Sequence, residues 1–231
     1  MKDEKGPALN KRVGALFEKA GFQSLPNANS TAEKVVTLDK KQRPLDLYAT
    51  DSHLGVTIIA SNKAGMIDGG FSAQLNDLKA LAAAAGAKAA LLVLTAVRPS
   101  NADIEAAAAA KITLWTSKEL QYYEALADAI KDYAKYEIVN SLGLTTHEEK
   151  AIHNTLALRI TQPTPSSPIE LFMFSITPEK LLKTCAVFRR ANGNAAAYQR
   201  TVTKKRLPEI REFVSREDAI LPTNIVVSLV S

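Results

Sequence analysis

Two residues within one short stretch, Asp46 and Lys63, have the types and spacing of a metal-dependent phosphodiesterase site. Asp46 lies inside a predicted strand, Lys63 ends the next one, and Ser61 stands two residues before the lysine. In such sites, carboxylates hold a Mg²⁺ ion that polarises the phosphate and activates a water, while the lysine stabilises the developing charge. The position of Ser61 normally carries a second carboxylate, and a neutral hydroxyl is a poor Mg²⁺ ligand. The spacing therefore leaves two interpretations open, a depleted metal site or ordinary strand-end polar residues.

The strand pattern decides whether these side chains can meet. Ser61 and Lys63 share one face because side chains alternate along a strand, and Asp46 joins them if the register of the two strands allows. The first helix, predicted over 7–20 and ended by Gly21, carries Glu18 on its outer turn. Glu18 supplies the missing charge if that helix packs over the site, and is a surface residue otherwise.

Hydrophobic periodicity predicts an α/β domain around this stretch. Strands are expected at 34–38, 45–49, 56–60, 89–97 and 112–115. The turn at 51–55 implies an antiparallel hairpin. Helices are expected at 73–85 (capped by Ser72), at 102–110, and from a Thr116–Glu119 capping box toward Asn140. The alternation of later strands with helices predicts parallel pairing in the same sheet.

A second region follows a boundary predicted at 143–150. Its expected elements are strands at 156–160 and 169–176, a helix opened by Thr177 and Pro178, a basic helical region at 198–216, and an apolar strand at 224–230. Because the last strand is the most apolar of this region, we expect the chain to be a fragment of a longer protein. The predicted domains are thus 1–142 and 150–231.

Positive charge is concentrated in one window. The chain carries 29 Lys/Arg and 24 Asp/Glu, for a net charge of +5. Residues 180–216 hold ten of the bases and only two acids, which makes the window +8 and the remainder −3. A local excess of this kind favours a polyanionic partner, although solvated helix faces account for many charge runs. The candidate phosphate contacts are Arg189, Arg190, Arg200, Lys204, Lys205, Arg206 and Arg211.

Other functional classes have little support. No apolar run approaches the roughly 20 residues that span a bilayer, and the N-terminus lacks a signal-peptide core, so we expect a cytoplasmic protein without membrane contact. The single cysteine, Cys185, excludes an internal disulfide. His147 and His153 are six residues apart rather than the four of a helical zinc pair.

The first 140 residues resemble the Mrr-like branch of the PD-(D/E)XK restriction-endonuclease superfamily. The matching segments are LFEKAGF, RPLDLYA, GVTIIASNK, QLNDLKALAAAAGAKAALLVLT and IEAAAAAKITLWT. The resemblance implies a restriction-endonuclease-like mixed sheet flanked by helices, with Asp46 and Glu18 as Mg²⁺ ligands, Lys63 as the catalytic lysine and Gln74 beside the site. Ser61 departs from this pattern because it occupies the position of the Glu or Asp.

The second region resembles the start of a DGQHR-domain protein. The segments are IELFMFSITPEKLLKTCAVFRR, AAAYQRTVTKKRLPEIREFV and ILPTNIVVSL. The family includes DndB-like proteins of DNA-modification systems and implies an incomplete α+β domain of the ParB/sulfiredoxin-like type.

Together these resemblances imply a DNA-binding protein of a bacterial DNA-modification or phage-defence system, with partners that include DNA and other proteins of that system. One alternative is an active Mg²⁺-dependent endonuclease that uses Asp46, Glu18 and Lys63. A third interpretation is a regulatory or assembly module that binds a nucleotide or a partner protein.

Overall fold

A computed structural model describes residues 6–65, 70–144, 156–163, 168–177, 180–181 and 206–216. Within residues 6–144 the strands are β1 Gln23–Leu25, β2 Val35–Leu38, β3 Lys41–Pro44, β4 Leu47–Asp51, β5 Val56–Lys63, β6 Ala89–Leu94 and β7 Ile112–Thr116. The helices are α1 Gly6–Lys19, α2 Phe71–Ala85, α3 Asn101–Ala109, α4 Ser117–Ile130 and α5 Ala134–Ser141, with a 3₁₀ turn at Lys131–Tyr133.

A mixed five-stranded sheet in the order β1–β4–β5–β6–β7 organises this region. β4 runs antiparallel to both β1 and β5, whereas β5, β6 and β7 are parallel. Helices α2 and α3 connect the parallel strands, as crossover connections require. β2 and β3 form a separate antiparallel ribbon. The prediction of an α/β domain with an early antiparallel hairpin and later parallel strands is confirmed.

Helices cover both faces of the sheet. One core contains side chains of α1, α4 and α5 packed on one face, with Phe17, Ile58 and Trp115 at its centre. The other core lies under α2 and α3 and includes Ile59, Leu78 and Leu92. Adjacent residues of β5 thus bury opposite sides of the sheet, which is why this strand is apolar without alternation.

The position of Asp46 differs from the prediction. Asp46 does not lie inside a strand but in the two-residue link between β3 and β4. The physical reason is that the chain changes partners here: β3 pairs with β2, β4 pairs with β5, and Leu45 N–H donates to Lys34 O. The link frees the aspartate from the regular up-and-down direction of strand side chains.

Several predicted boundaries are wrong. β1 has only three residues and was too short to detect. β6 ends at Leu94 rather than at residue 97, in register with the last residues of β5 and β7. Gly70, not Ser72, stands at the N-cap of α2. The helix opened by Thr116 ends at Ile130 because Lys131 adopts a φ of 49°, and α5 begins after the 3₁₀ turn. The predicted Thr116–Glu119 capping box is present.

The second region contributes two described pieces. Strands β8 Ala157–Gln162 and β9 Ile169–Phe174 form an antiparallel hairpin, close to the predicted strands. Helix α6 Arg206–Val214 covers part of the predicted basic helical region. The amides of Lys180 and Leu181 donate to Thr177, as at a helix start, and the rest of that predicted helix and the strand at 224–230 lie outside the described residues. In the described part of the chain, no helix is both long and apolar enough to cross a membrane.

Candidate functional site

Asp46 reaches elements on both faces of the sheet. Its neighbours across the strand pair are Ser61 and Asn62, since Leu47 pairs with Ala60. By alternation along β5, Ser61 faces the α2 side and Asn62 faces the α1 side. Asp46 is half-buried at this junction, so its carboxylate can meet donors from either layer.

Three protein donors surround the Asp46 carboxylate. Asn10 Nδ2 donates to Oδ1 at 3.1 Å, while Asn62 N–H and Ser61 Oγ donate to Oδ2 at 2.8 and 3.3 Å. None of these donors carries a charge. The negative charge of Asp46 is thus stabilised by hydrogen bonds to neutral groups.

Two asparagines connect this carboxylate to α1. Asn62 Nδ2 donates to Asn10 Oδ1 at 3.0 Å and lies 3.5 Å from the backbone oxygen of Asp46. Asn62 is 5 % exposed, and its Oδ1 has no hydrogen-bond partner among the described atoms. The three residues form a closed set of contacts that fixes the first helix against the β3–β4 link. We call Asn10, Asp46, Ser61, Asn62 and Gln74 the Asp46 cluster.

The α2 side of the cluster is completed by Gln74. Its Nε2 donates to Ser61 Oγ at 3.1 Å, which leaves the serine proton for Asp46. Lys63 lies two residues beyond Ser61, partly buried at the end of β5, where its backbone oxygen accepts from Thr95 N–H at 3.1 Å. The structure therefore brings together Asp46, Ser61 and Gln74, with Lys63 following on the same face of the strand.

Glu18 is positioned elsewhere. Its carboxylate accepts the backbone N–H of Ala28 at 2.9 Å, in the loop after β1. Eight residues separate it from Asn10 along α1, a rise of about 12 Å. Asn10, not Glu18, is the residue that α1 presents to Asp46.

The residues of the cluster do not fit a two-carboxylate Mg²⁺ site. Magnesium in proteins is held through carboxylates in a near-octahedral oxygen shell, and Asp46 is the only acid of this cluster. Across the described residues, no group of three His, Cys, Asp or Glu side chains could hold a metal ion. A cation at Asp46 would also compete with the three protein donors for the carboxylate.

Sequence reasoning missed Asn10 and Asn62. A signal for each was present: Asn10 shares a helical face with Gly14 and Phe17, both buried, and Asn62 interrupts an apolar strand. A polar side chain at a buried position needs a hydrogen-bond partner. That partner is Asp46 for Asn10, and Asn10 for Asn62.

The basic window is separate from the Asp46 cluster in the chain, and its described helix α6 packs on a different element. Arg211 is exposed on α6, which packs against α4 around a cleft of about 290 Å³ lined by Ala125, Asp128, Ala129, Pro208, Arg211, Glu212 and Ser215. The α4 residues of this cleft lie roughly two turns or more from Ser117, where α4 leaves the sheet. Arg206 begins α6, and the predicted contacts Arg189, Arg190, Arg200, Lys204 and Lys205 lie outside the described residues.

No family model matches this chain, and no curated protein or solved structure matches it significantly. The chemistry of the Asp46 cluster and the distribution of charge are therefore the basis on which a function can be argued.

Proposed function

We propose that the chain is a DNA-binding protein whose first domain has a restriction-endonuclease-like fold of the Mrr type with a metal site that does not support cleavage. The helix–sheet–helix layering, the antiparallel β4–β5 pair and the parallel β5–β6 pair are compatible with that fold. Asp46, Ser61, Lys63 and Gln74 occupy the positions that the resemblance assigns to the site.

The proposal that this site does not cleave DNA rests on one observation. The Asp46 carboxylate accepts hydrogen bonds from Asn10, Ser61 and Asn62, all of them neutral donors. The acceptor atoms of this carboxylate are thus occupied by protein donors, and the cluster has no second acid to attract Mg²⁺. The cluster then acts as a structural joint between α1, the β3–β4 link and α2.

DNA is the partner that the charge distribution favours. The window 180–216 carries a net charge of +8 on a chain that is otherwise slightly acidic. Contacts between lysine or arginine and backbone phosphates release counterions, so binding of this kind weakens steeply with salt and is largely insensitive to sequence.

A second candidate, an active endonuclease, is favoured by the hydrogen bonds that link Gln74 through Ser61 to Asp46, with Lys63 two residues beyond Ser61 on the same face of β5. It would need a second metal ligand other than Glu18, because the Glu18 carboxylate is bonded to Ala28 N–H. The two candidates differ in a simple measurement, the conversion of supercoiled plasmid by the full chain in Mg²⁺ or Mn²⁺.

We expect no cutting by the native chain. The variant Ser61→Glu restores the missing carboxylate and should bind Mg²⁺ measurably in calorimetry, whereas the matched neutral variant Ser61→Gln should not. Plasmid cutting by the native chain that disappears in Asp46→Ala would instead establish the endonuclease.

A mobility-shift titration of a labelled duplex over a series of salt concentrations tests DNA binding. We expect affinity to fall as salt rises, and the triple variant Lys204→Ala/Lys205→Ala/Arg206→Ala to bind more weakly with a smaller salt slope. Since each lost phosphate contact lowers the slope by about 0.9, the change should approach 3 if all three side chains contact DNA. Affinity that does not depend on salt would contradict the proposal.

For residues 150–231 we propose the N-terminal part of a DGQHR-type domain, in a cytoplasmic DNA-modification or phage-defence system. The β8–β9 hairpin followed by a helix start at Thr177 is compatible with this assignment. An Asp-Gly-Gln-His-Arg segment encoded after Ser231 would support it. A regulatory role remains the third proposal. It would be favoured if the chain does not bind DNA but binds nucleotides or co-expressed proteins of the same system.

A further inference from the structure

The two edges of the parallel sheet place their cations in opposite electrostatic surroundings. At the edge where β6 and β7 begin, Lys88, Lys111 and Lys131 follow the C-terminal ends of α2, α3 and α4, respectively. Helix C-termini carry partial negative charge, so these exposed lysines stabilise the helices that they follow. Their placement has a structural explanation and needs no ligand.

At the opposite edge, cations lie where the helix dipoles disfavour them. Lys63 ends β5 before α2, Arg98 lies two residues before the Ser100 cap of α3, and Lys118 is the second residue of α4. Arg98 and Lys118 are exposed and Lys63 is partly buried. Helix N-termini carry partial positive charge, which favours acids, not bases, at these positions.

The ends of the strands that carry or precede these cations are in register. Lys63 pairs with Leu94, and Leu94 pairs with Thr116, so one row crosses the ends of β5, β6 and β7. Neighbouring strands are about 4.8 Å apart, which places the three strand ends within about 10 Å of each other. Lys118 and Arg98 follow within a few residues of this row.

The described acids at this edge, Asp46, Asp103 and Glu119, already accept hydrogen bonds from other groups, and those of Asp46 come from Asn10, Ser61 and Asn62. Asp103 accepts bonds from the backbone and side chain of Ser100, and these bonds hold the pKa of Asp103 below its ordinary value. The carboxylate of Glu119 accepts the corresponding bonds from Thr116. Among the described residues, no ion pair joins Lys63, Arg98 or Lys118 to an acid, unlike Arg12, Lys19, Arg43 and Lys135.

We infer that Lys63, Arg98 and Lys118 form a metal-free contact surface for the phosphate backbone of DNA at the carboxyl edge of the parallel strands. Bound phosphates would bring negative charge to a place where the N-terminal ends of α2, α3 and α4 and the three cations are all positive. The inference rests on the proposed DNA-binding function and adds to the basic window a second surface, formed by the first domain.

Two triple variants of the full chain test it with equal changes in charge. Lys63→Gln/Arg98→Gln/Lys118→Gln removes the carboxyl-edge cations, and Lys88→Gln/Lys111→Gln/Lys131→Gln removes three lysines from the other edge. Each lowers the net charge of +5 by three. The measurement is the affinity for a labelled 20-base-pair duplex between 50 and 300 mM salt, with thermal unfolding as a check on folding.

We expect the carboxyl-edge variant to lose about tenfold or more in affinity at physiological salt and about 2 to 3 in salt slope, while the control changes little. Equal losses in both variants would overturn the inference, because net charge alone would then explain them. Unchanged binding by the carboxyl-edge variant, with loss in Lys204→Ala/Lys205→Ala/Arg206→Ala, would overturn it and leave the proposed function intact. If the native chain does not bind the duplex, both this inference and the proposed DNA-binding function are wrong.

Discussion

Two aspartates flank the same strand and are stabilised in different ways. Asp46 immediately precedes β4 and is half-buried among neutral donors, whereas Asp51 ends β4 and is only 8 % exposed. Asp51 Oδ2 accepts from Lys135 Nζ at 2.9 Å and its Oδ1 accepts from Leu54 N–H at 2.9 Å. The charge of Asp51 is compensated by Lys135, whereas no ion pair joins Asp46 to a cation in the part of the chain that the structure describes.

The difference separates a structural carboxylate from a candidate functional one. Burial opposes ionisation of Asp51, but the hydrogen bonds from Leu54 and Lys135 outweigh it and keep its pKa below the ordinary value. This pair joins the β4–β5 turn to α5. Asp46 instead lies on the edge where the parallel strands end, and its described partners are the neutral donors of Asn10, Ser61 and Asn62.

The largest effect is expected at Asp51. The variant Lys135→Met keeps much of the aliphatic volume but leaves a buried carboxylate without its cation, and should lower the free energy of unfolding at pH 7 by about 3 to 4 kcal/mol. Because the folded pKa of Asp51 is lowered, its stabilising contribution is present above the unfolded value of about 3.8 and is lost as pH falls through the folded pKa. Urea unfolding at pH 7 and pH 3 measures the loss of stability in the variant and its dependence on pH.

The double variant Lys135→Met/Asp51→Asn provides the control for this ion pair. It retains an acceptor for Leu54 N–H and removes the orphaned charge, so it should recover part of the lost stability. A double variant as unstable as Lys135→Met alone would contradict the assignment of the loss to an uncompensated charge.

The next effect concerns Glu137, on the same helix as Lys135. Burial raises the pKa of the Glu137 carboxyl to about 7, so the folded state favours the neutral form. The neutral Glu137 carboxyl contributes fully to the stability of the folded state below the unfolded pKa of about 4.5. This contribution is lost as pH rises through about 7. Glu137→Gln should therefore raise the free energy of unfolding by about 2 to 3 kcal/mol at pH 8 and leave it unchanged at pH 4.

Exposed Glu33 offers a matched control for Glu137. Glu33→Gln should change stability by less than about 0.5 kcal/mol at both pH values. A Glu137→Gln variant that is equally stable at pH 4 and pH 8 relative to the native chain would show that its carboxyl is not held neutral.

A smaller effect is expected at Asp46. Asp46→Ala leaves the Asn10, Ser61 and Asn62 donors without their acceptor, but the site is half-buried and water can reach it. We expect a loss of about 2 kcal/mol in unfolding free energy, less than for Lys135→Met, because no charge is left buried. A loss above that of Lys135→Met would contradict the distinction between the two aspartates.

The smallest effect is expected at Gln74. Its one described side-chain hydrogen bond runs from Nε2 to Ser61 Oγ, and the side chain is only partly buried. Gln74→Ala should cost about 0.5 kcal/mol, and Ser61→Ala, which removes the hydroxyl that links Gln74 to Asp46, about 1 kcal/mol. The order of these two values in chemical denaturation indicates whether the serine is the connecting residue.

Features that depend on interactions between residues close in sequence could be predicted from the sequence, and features that depend on distant residues could not. The end of α2 at Gly86 and the Thr116–Glu119 capping box were predictable because each depends on residues within one helical turn. The break after Ile130 was not, since it depends on a positive φ at Lys131, a residue type with no preference for that conformation. The three-residue β1 exists only through its pairing with β4.

The sequence by itself determined the α/β class, the parallel strands and the concentration of positive charge in residues 180–216, because periodicity, caps and composition are local properties. Only the tertiary structure decided what contacts Asp46. Whether α1 presents Asn10 or Glu18 depends on where the helix crosses the sheet, and the meeting of Ser61 and Asn62 around Asp46 depends on the change of partner between β3 and β4. These placements follow from packing over long sequence separations, which no local pattern of residues contains.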